Sequence, residues 1–418
     1  MGIDLEIKKV VFTRSLAFFI LLGFSAAFAQ EGRPLPEIHQ IAVGVNGFQV
    51  GGEQKIQAGP GKVWLLRSGP QPDGAWDVTE IVDPDSQVIH RALLLDLDGD
   101  GRQALLTAGG NRPLLKLYQK EGEDWQPQIL WKSSTDQGVS RVRDFRVGDV
   151  DGDGNPEIVI GTHPEGVVAV LKREEGIWKA LEINREGRTW VHEIVIAPMA
   201  PEGPPHFFAT LSHPNVLPGK PQPGRIAAWR WQGDGYTASV VESFSETHAK
   251  EIGAGDLDGD GRVELVAAVE GVTREVDGRV ELLEPVRIKA YRWKDNQWTS
   301  EILAEVPDAS SRAIAVGDAD HDGRPDVVLG TRSAGLWLLS FDRQGGRWDK
   351  TLIDRESAGL NHPLLIADMD GDGKNELYAS ADVQGQINRY TWAGGQWEKS
   401  LILQIPKEHW TWAMESAR

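Results

Sequence analysis

The sequence predicts an all-β fold, a seven-bladed β-propeller of four-stranded antiparallel blades with calcium-binding loops. Two repeating features predict it: a short aromatic segment that recurs along the whole chain, and an acidic, glycine-containing loop in register with it. No stretch has the apolar spacing that a helical or leucine-rich solenoid would need.

The aromatic segment reads Gly-Ala-Trp76, Glu-Asp-Trp125, Gly-Ile-Trp178, Asn-Gln-Trp298, Gly-Arg-Trp348 and Gly-Gln-Trp397, with Gly-Tyr236 filling the one gap. Alternating runs such as residues 63–66, 167–170, 226–229 and 336–339 precede it and read as strands. Because these aromatics follow the repeat rather than clustering, they are expected to pack in the core or at strand edges.

The acidic loop carries aspartates at positions 1, 3 and 5 and glycine at 6 in five copies. These are Asp96, Asp98 and Asp100; Asp149, Asp151 and Asp153; Asp256, Asp258 and Asp260; Asp318, Asp320 and Asp322; and Asp368, Asp370 and Asp372. Their first aspartates lie 53, 107, 62 and 50 residues apart, so the longest gap is a double step. A degenerate copy falls near Pro198, where the approach Glu193 to Ala197 matches Glu251 to Gly255, and His39 to Gly44 opens a first repeat without acids. Seven units follow, opening near His39, His90, Arg143, His192, Lys250, Arg312 and His362. Each holds four strand-like segments between Gly- and Asp-rich turns, which is the content of a propeller blade.

Alternate carboxylates around one centre, a glycine that permits the sharp turn, and an acid at position 9 make an oxygen-rich site suited to a hard cation such as calcium. Position 9 is Glu157, Glu264, Asp326 and Glu376, whereas the first loop has Ala104 there, so up to five sites are expected with the one at Asp96 weakest. An EF-hand would need Glu at position 12 and flanking helices; here position 12 is Thr107, Ile160, Ala267, Leu329 or Ala379.

The loop followed by an apolar strand resembles the FG-GAP and VCBS repeats and covers essentially all of the chain after residue 29. The resemblance implies the seven-bladed fold of integrin α-subunit heads and of several secreted bacterial proteins. The Phe-Gly and Gly-Ala-Pro signatures are absent, with Gly161-Thr162 and Gly330-Thr331 standing where the latter falls, so the likeness is to the bacterial VCBS type. Because these families hold binding modules and enzymes alike, the fold leaves function open.

Six residues before each loop the chain places His90, Arg143, Lys250, Arg312 or His362, and the degenerate repeats supply His39 and His192. All seven are basic or His. The resemblance puts this register at the mouth of the central channel, opposite the acidic loops. The loops between second and third strands open there too, bringing Arg112, His163, His213, Arg274 and Arg332. These residues either cap strands and bridge blades, or form a cationic funnel for an anionic or polyhydroxylated ligand.

The remaining expectations come from composition. Lys8, Lys9 and Arg14 precede an apolar run from Leu16 to Phe28 that ends in Ala27-Phe28-Ala29, which reads as a signal peptide over residues 1–29 of an exported, periplasmic or extracellular protein. The run is too short to span a bilayer, and no later segment could. The 418 residues include no Cys, so disulfides, zinc–thiolate sites and cysteine nucleophiles are excluded. A net charge of −18 makes a nucleic-acid partner a poor fit. After residue 29 there are 60 acids against 41 Lys and Arg, and the five loops hold 19 acids, as many as the excess.

Three functions are consistent with this reading: a binding module for carbohydrate or another ligand, a polysaccharide lyase or sugar dehydratase using funnel His and Arg, and a structural cell-surface propeller. No nucleophile elbow, phosphate loop or His-Glu-x-x-His motif is present.

Overall fold

The computed structural model describes residues 40–50, 56–68, 75–110, 114–122, 124–133, 140–200, 202–215, 218–295 and 297–417. The expected signal peptide, His39 and Arg112 lie outside them. The described residues form strands joined by turns and loops, and no helix among them is long and apolar enough to cross a membrane.

The architecture is an all-β propeller in which antiparallel sheets stand around one axis. Five sheets are separate and four-stranded. This departs from the expected seven separate blades. The two units opening near His90 and Arg143 share one eight-stranded sheet, joined by the single residue pair Gly110 and Arg141. The contact is close: Gly110 has no side chain, and a Cβ there would lie 3.0 Å from that of Arg141, so glycine favours the meeting of the two strands.

Alternation decides which face of each strand is buried. The second strands are buried throughout, as in Ala104–Gly110, Glu157–His163 and His206–Ser212, because neighbouring sheets cover both of their faces. Outermost strands such as Ile177–Asn184 and Arg347–Asp354 are largely exposed. The apolar clusters lie between adjacent sheets: Leu93, Leu106 and Leu117 meet Val142, Phe145, Ile158 and Leu171, for example. Each repeat aromatic is half-buried against such a cluster, Trp178 and Trp348 among them, so these residues serve packing.

The last strand corrects the reading of the first repeat. Gln40–Val50 was expected to open a unit as its innermost strand, but His409–Ser416 takes that place and pairs with it antiparallel. Ring closure therefore joins the beginning and end of the described chain. The innermost strands Val88–Leu95, Arg141–Gly148, Trp190–Ala197, Ala249–Gly255, Ser311–Gly317, Leu364–Ala367 and His409–Ser416 neighbour one another in that order, and the last returns to the first.

Candidate ligand pocket and acidic loops

A β-bulge marks the basic register. Pairing passes from Ile89 to Arg91, from Val142 to Asp144, from Ala249 to Glu251 and from Ser311 to Ala313 while the partner strand advances one residue. His90, Arg143, Lys250 and Arg312 are thus the extra residues, released from the pleat's alternation. The strand Trp190–Ala197 has the same irregularity at His192 and Glu193. On the last strand, Trp412 and Ala413 together oppose Gly44. A Cβ on Gly44 would lie 2.5 Å from the Ile89 carbonyl oxygen, so glycine is required where the bulged strand meets the next sheet.

These residues converge on one pocket at the axis, with a volume of about 190 Å³. His90, Arg143, His163, His192, Lys250, Arg312 and His362 all line it. His213 and Arg332 do not: both are exposed. Sequence reasoning missed Arg141, Trp190, Glu251, Asn361 and Trp412, which also line it. The His409-Trp-Thr-Trp run was the available signal for Trp412, since it repeats an opening strand after seven units.

The pocket is two-sided. On one side runs an aromatic row: Trp412 lies edge-on to His90 at 4.4 Å between centroids, His90 is 6.2 Å from His163, and His163 stacks on Trp190 at 4.7 Å. His192 continues the row, 6.4 Å from His163 and stacked on His248 at 5.3 Å. Across from it stand Lys250 and Arg312, with Asn361 and His362. Arg143 lies 5.7 Å over the Trp412 ring.

Burial lowers the pKa of every one of these imidazoles. His90 is held well below the usual histidine range by burial and then by Arg143 and Arg141; His163 by burial and the same two arginines; His192 by burial, then His248 and Lys250. Burial likewise brings His248 and His362 down to about 4. The imidazoles are therefore neutral near pH 7. Arg141 Nη1 donates to His90 Nε2 at 3.2 Å, which leaves the proton on Nδ1, an atom with no partner. Ser357 donates to His362 Nε2 at 2.9 Å, and His362 Nδ1 donates to the Thr331 carbonyl at 3.2 Å.

The cations behave differently from strand caps. Among the described residues Arg143, Lys250 and Arg312 form no ion pair, and Arg312 Nε, Glu251 Oε1 and Asn361 Nδ2 are buried without a partner. Bridging between blades belongs to the next residue along the strands. There Arg91, Asp144 and Glu193 join Arg146 and Glu415: Arg146 lies 3.1 Å from Asp144 and 3.2 Å from Glu193, and Arg91 pairs with Asp144, Glu193 and Glu415. Asp144 also accepts from the Ile194 amide at 2.7 Å and Glu193 from the Ile252 amide at 3.0 Å, each across to the next blade.

The acidic loops share one internal design. The acid at position 9 is buried and accepts from the amide at position 2: Glu157 from Val150 at 3.0 Å, Glu264 from Leu257 at 2.9 Å, Asp326 from Ala319 at 2.9 Å, Glu376 from Met369 at 3.0 Å. The first aspartate accepts from the glycine amide at position 6, as from Gly154 at 2.9 Å and Gly373 at 2.8 Å. Position 4 takes a positive φ, which suits glycine, yet in the fourth loop His321 adopts it at 63°.

Carboxylate oxygens lie within 4.8 Å of one another in four loops, through Asp149, Asp151 and Glu157; Asp256, Asp258 and Asp260; Asp318, Asp320 and Asp326; and Asp368, Asp370, Asp372 and Glu376. Among the described residues the first loop forms no such group. Its Asp100 pairs with Arg102 at 2.6 Å and its Asp98 with Arg173. Burial, aided by neighbouring acids, raises Glu157 and Glu264 to about 7 and Asp326 to about 8. Lys172 relieves part of this in the second loop, pairing with Asp151 and lying 2.7 Å from Asp153. The donor set, all carboxylate oxygen with a buried acid closing it, fits a hard divalent cation.

A closed ring of antiparallel sheets with repeated acidic loops on one strand connection defines a repeat β-propeller. The FG-GAP-like repeat model matches residues 96–160, across the first two acidic loops, and together with the ring of sheets this supports an FG-GAP-type β-propeller. It is 25% identical over 323 residues to the rhamnogalacturonan exolyase YesX of Bacillus subtilis, a match that takes in 69% of this chain. The match spans 47% of that relative, about half its length. Among solved structures, a Lactobacillus plantarum protein superposes with a TM-score of 0.54 at 10% identity, over 91% of this chain and all of that one. A candidate 6-phosphogluconolactonase from Bacteroides uniformis gives 0.52 at 13%, over 89% and 99%. At such identity the two structures speak to the fold alone.

Proposed function

We propose that this protein is an exported, calcium-stabilised propeller of seven blades, two of them fused in the eight-stranded sheet, that binds a carboxylated sugar in its axial pocket. The observation that carries the reading is the two-sided pocket, in which Lys250 and Arg312, without ion pairs of their own, face the row Trp412, His90, His163 and Trp190. A sugar ring can lie along the aromatic row while its carboxylate meets the cations and its hydroxyls meet Asn361, Glu251 and the imidazoles. The calcium ions would be held by the four carboxylate groups, far from this chemistry, and would brace the loops.

A second reading is a lyase, favoured by the likeness to the rhamnogalacturonan exolyase. Neutral imidazoles beside arginines supply what β-elimination requires: a base for the proton next to the carboxylate, and positive charge to neutralise that carboxylate as the proton leaves. The lining contains no Tyr to serve the leaving oxygen.

The test is the double replacement His192→Ala with Arg312→Ala, assayed for binding of oligogalacturonates and for an unsaturated, near-ultraviolet-absorbing product. The binding reading expects saturable binding by the wild type, lost in a folded variant, with no product. Product from the wild type alone establishes the lyase. A wild type that does neither removes both.

A further inference from the structure

We infer that the last strand, His409–Ser416, is a clasp that builds the pocket wall, with Trp412 as a ligand-contacting residue and Glu415 as the positioning residue that holds it. This rests on the pocket being a ligand site.

The strand presents two side chains to the axis. Trp412, in the bulge register, donates from its indole N–H to Asn46 Oδ1, covers His90 edge-on and underlies Arg143. It thereby touches three successive blades. Three residues on, Glu415 enters the ion cluster, pairing with Arg91 and lying 3.6 Å from Arg146, which belong to the next two blades. A half-buried carboxylate between two arginines is a directional tie, because moving it out leaves both arginines without it.

The consequence is that the pocket exists only when the ring is shut. His90 is 1% exposed, and Trp412 packs edge-on against it. Without Trp412 the aromatic row loses its outer end and Arg143 loses its aromatic seat. Glu415 is not itself part of the pocket lining and pairs with Arg91 and Arg146, which are not either, so it acts through strand placement.

Two readouts on the full chain separate this from the function proposed above. The first needs no ligand: carbethoxylation of His90, followed by mass spectrometry. His90 is expected to be protected in the wild type and to become modified at least tenfold faster in Glu415→Gln and in Trp412→Ala, with both variants still melting cooperatively. Glu415→Asp should restore part of the protection. Equal protection in Glu415→Gln and wild type overturns the clasp, whatever the ligand is. The second readout uses trigalacturonate: affinity should fall about tenfold in Glu415→Gln, and amide exchange in residues 411–414 of the wild type should slow when it binds. A wild type that ignores trigalacturonate sinks the proposed ligand class while the first readout still judges the clasp. Binding unaffected by Glu415→Gln overturns the positioning role.

Discussion

Arg312 stands beside Lys250 at the pocket, and its charge, added to the larger effect of burial, brings the Lys250 ammonium down to about 8. Glu270 and Glu251 pull the other way without cancelling it, because burial is the largest effect. A side chain held so far below the usual lysine range is one whose charged form wants an anion.

Replacing Arg312 with Ala should therefore move the Lys250 titration upward, towards that of an ordinary lysine. Dimethylation with labelled formaldehyde and an NMR pH series would follow it. The wild-type midpoint is expected near 8. An unchanged midpoint in Arg312→Ala would mean that burial alone sets it.

The five lowered imidazoles make a prediction about acid. His90, His163, His192, His248 and His362 are neutral in the folded protein, and each would take a proton near the ordinary histidine value once unfolded. Between about pH 6.5 and 4 the imidazoles of the unfolded chain bind more protons, so their contribution to stability is full above that window and falls as pH drops through it, while the raised Glu157, Glu264 and Asp326 act in the opposite direction. Denaturant melts at pH 7.5, 6 and 5 should show the decline. His362→Gln should soften the slope while lowering stability overall. A slope left unchanged by His362→Gln would show that this imidazole is not held neutral by the fold.

Repetition made the fold legible. The repeat aromatics sit where their spacing placed them, and the register of basic residues was visible because every unit carries it. What stayed hidden was long-range. The His409-Trp-Thr-Trp run resembles an opening strand, but that Trp412 fills the place assigned to His39 depends on pairing with a strand more than 360 residues away. The fused sheet turns on one contact, Gly110 with Arg141, which no periodicity encodes. His213 and Arg332 follow their second strands as His163 ends its own, yet both are exposed and lie outside the pocket.

Calcium should stabilise the protein through four loops and less through the fifth. A ligand bound only by the folded state at a hundredfold excess over its dissociation constant adds about 2.7 kcal/mol per site. Melting with calcium against chelator should show a shift, and Asp370→Asn should shrink it. Asp98→Asn should change it least, because that aspartate is engaged by Arg173 and its loop lacks the ninth-position acid. Melting indifferent to chelator would leave the acidic clusters as turns only.

Gly330 is expected to resist replacement. A Cβ there would lie 2.8 Å from His362 Nδ1, and His362 is fixed from both sides by Ser357 and Thr331. Gly330→Ala should cost about 1–3 kcal/mol, the usual range for overpacking a tight interior. A double variant with His362→Ala should recover part of the loss. If Gly330→Ala melts like the wild type, the histidine is not rigidly held.

Removing residues 408–418 should cost more stability than eleven residues of ordinary surface chain. The deletion strips the innermost strand from the first sheet and leaves Gln40–Val50 as an unpaired edge. It also takes Met414 out of the cluster formed with Ile41, Val43, Val45 and Trp64, about 2 kcal/mol by area alone. Arg91 and Arg146 lose Glu415 at the same time. Circular dichroism melts should show a lower and broader transition, and size-exclusion chromatography should show self-association through the freed edge. Supplying a synthetic peptide of residues 408–418 should restore the transition, because a strand that closes a ring by pairing needs no covalent link to do so. A truncated protein that melts as the wild type does, with no response to the peptide, would show that closure contributes nothing to the ring.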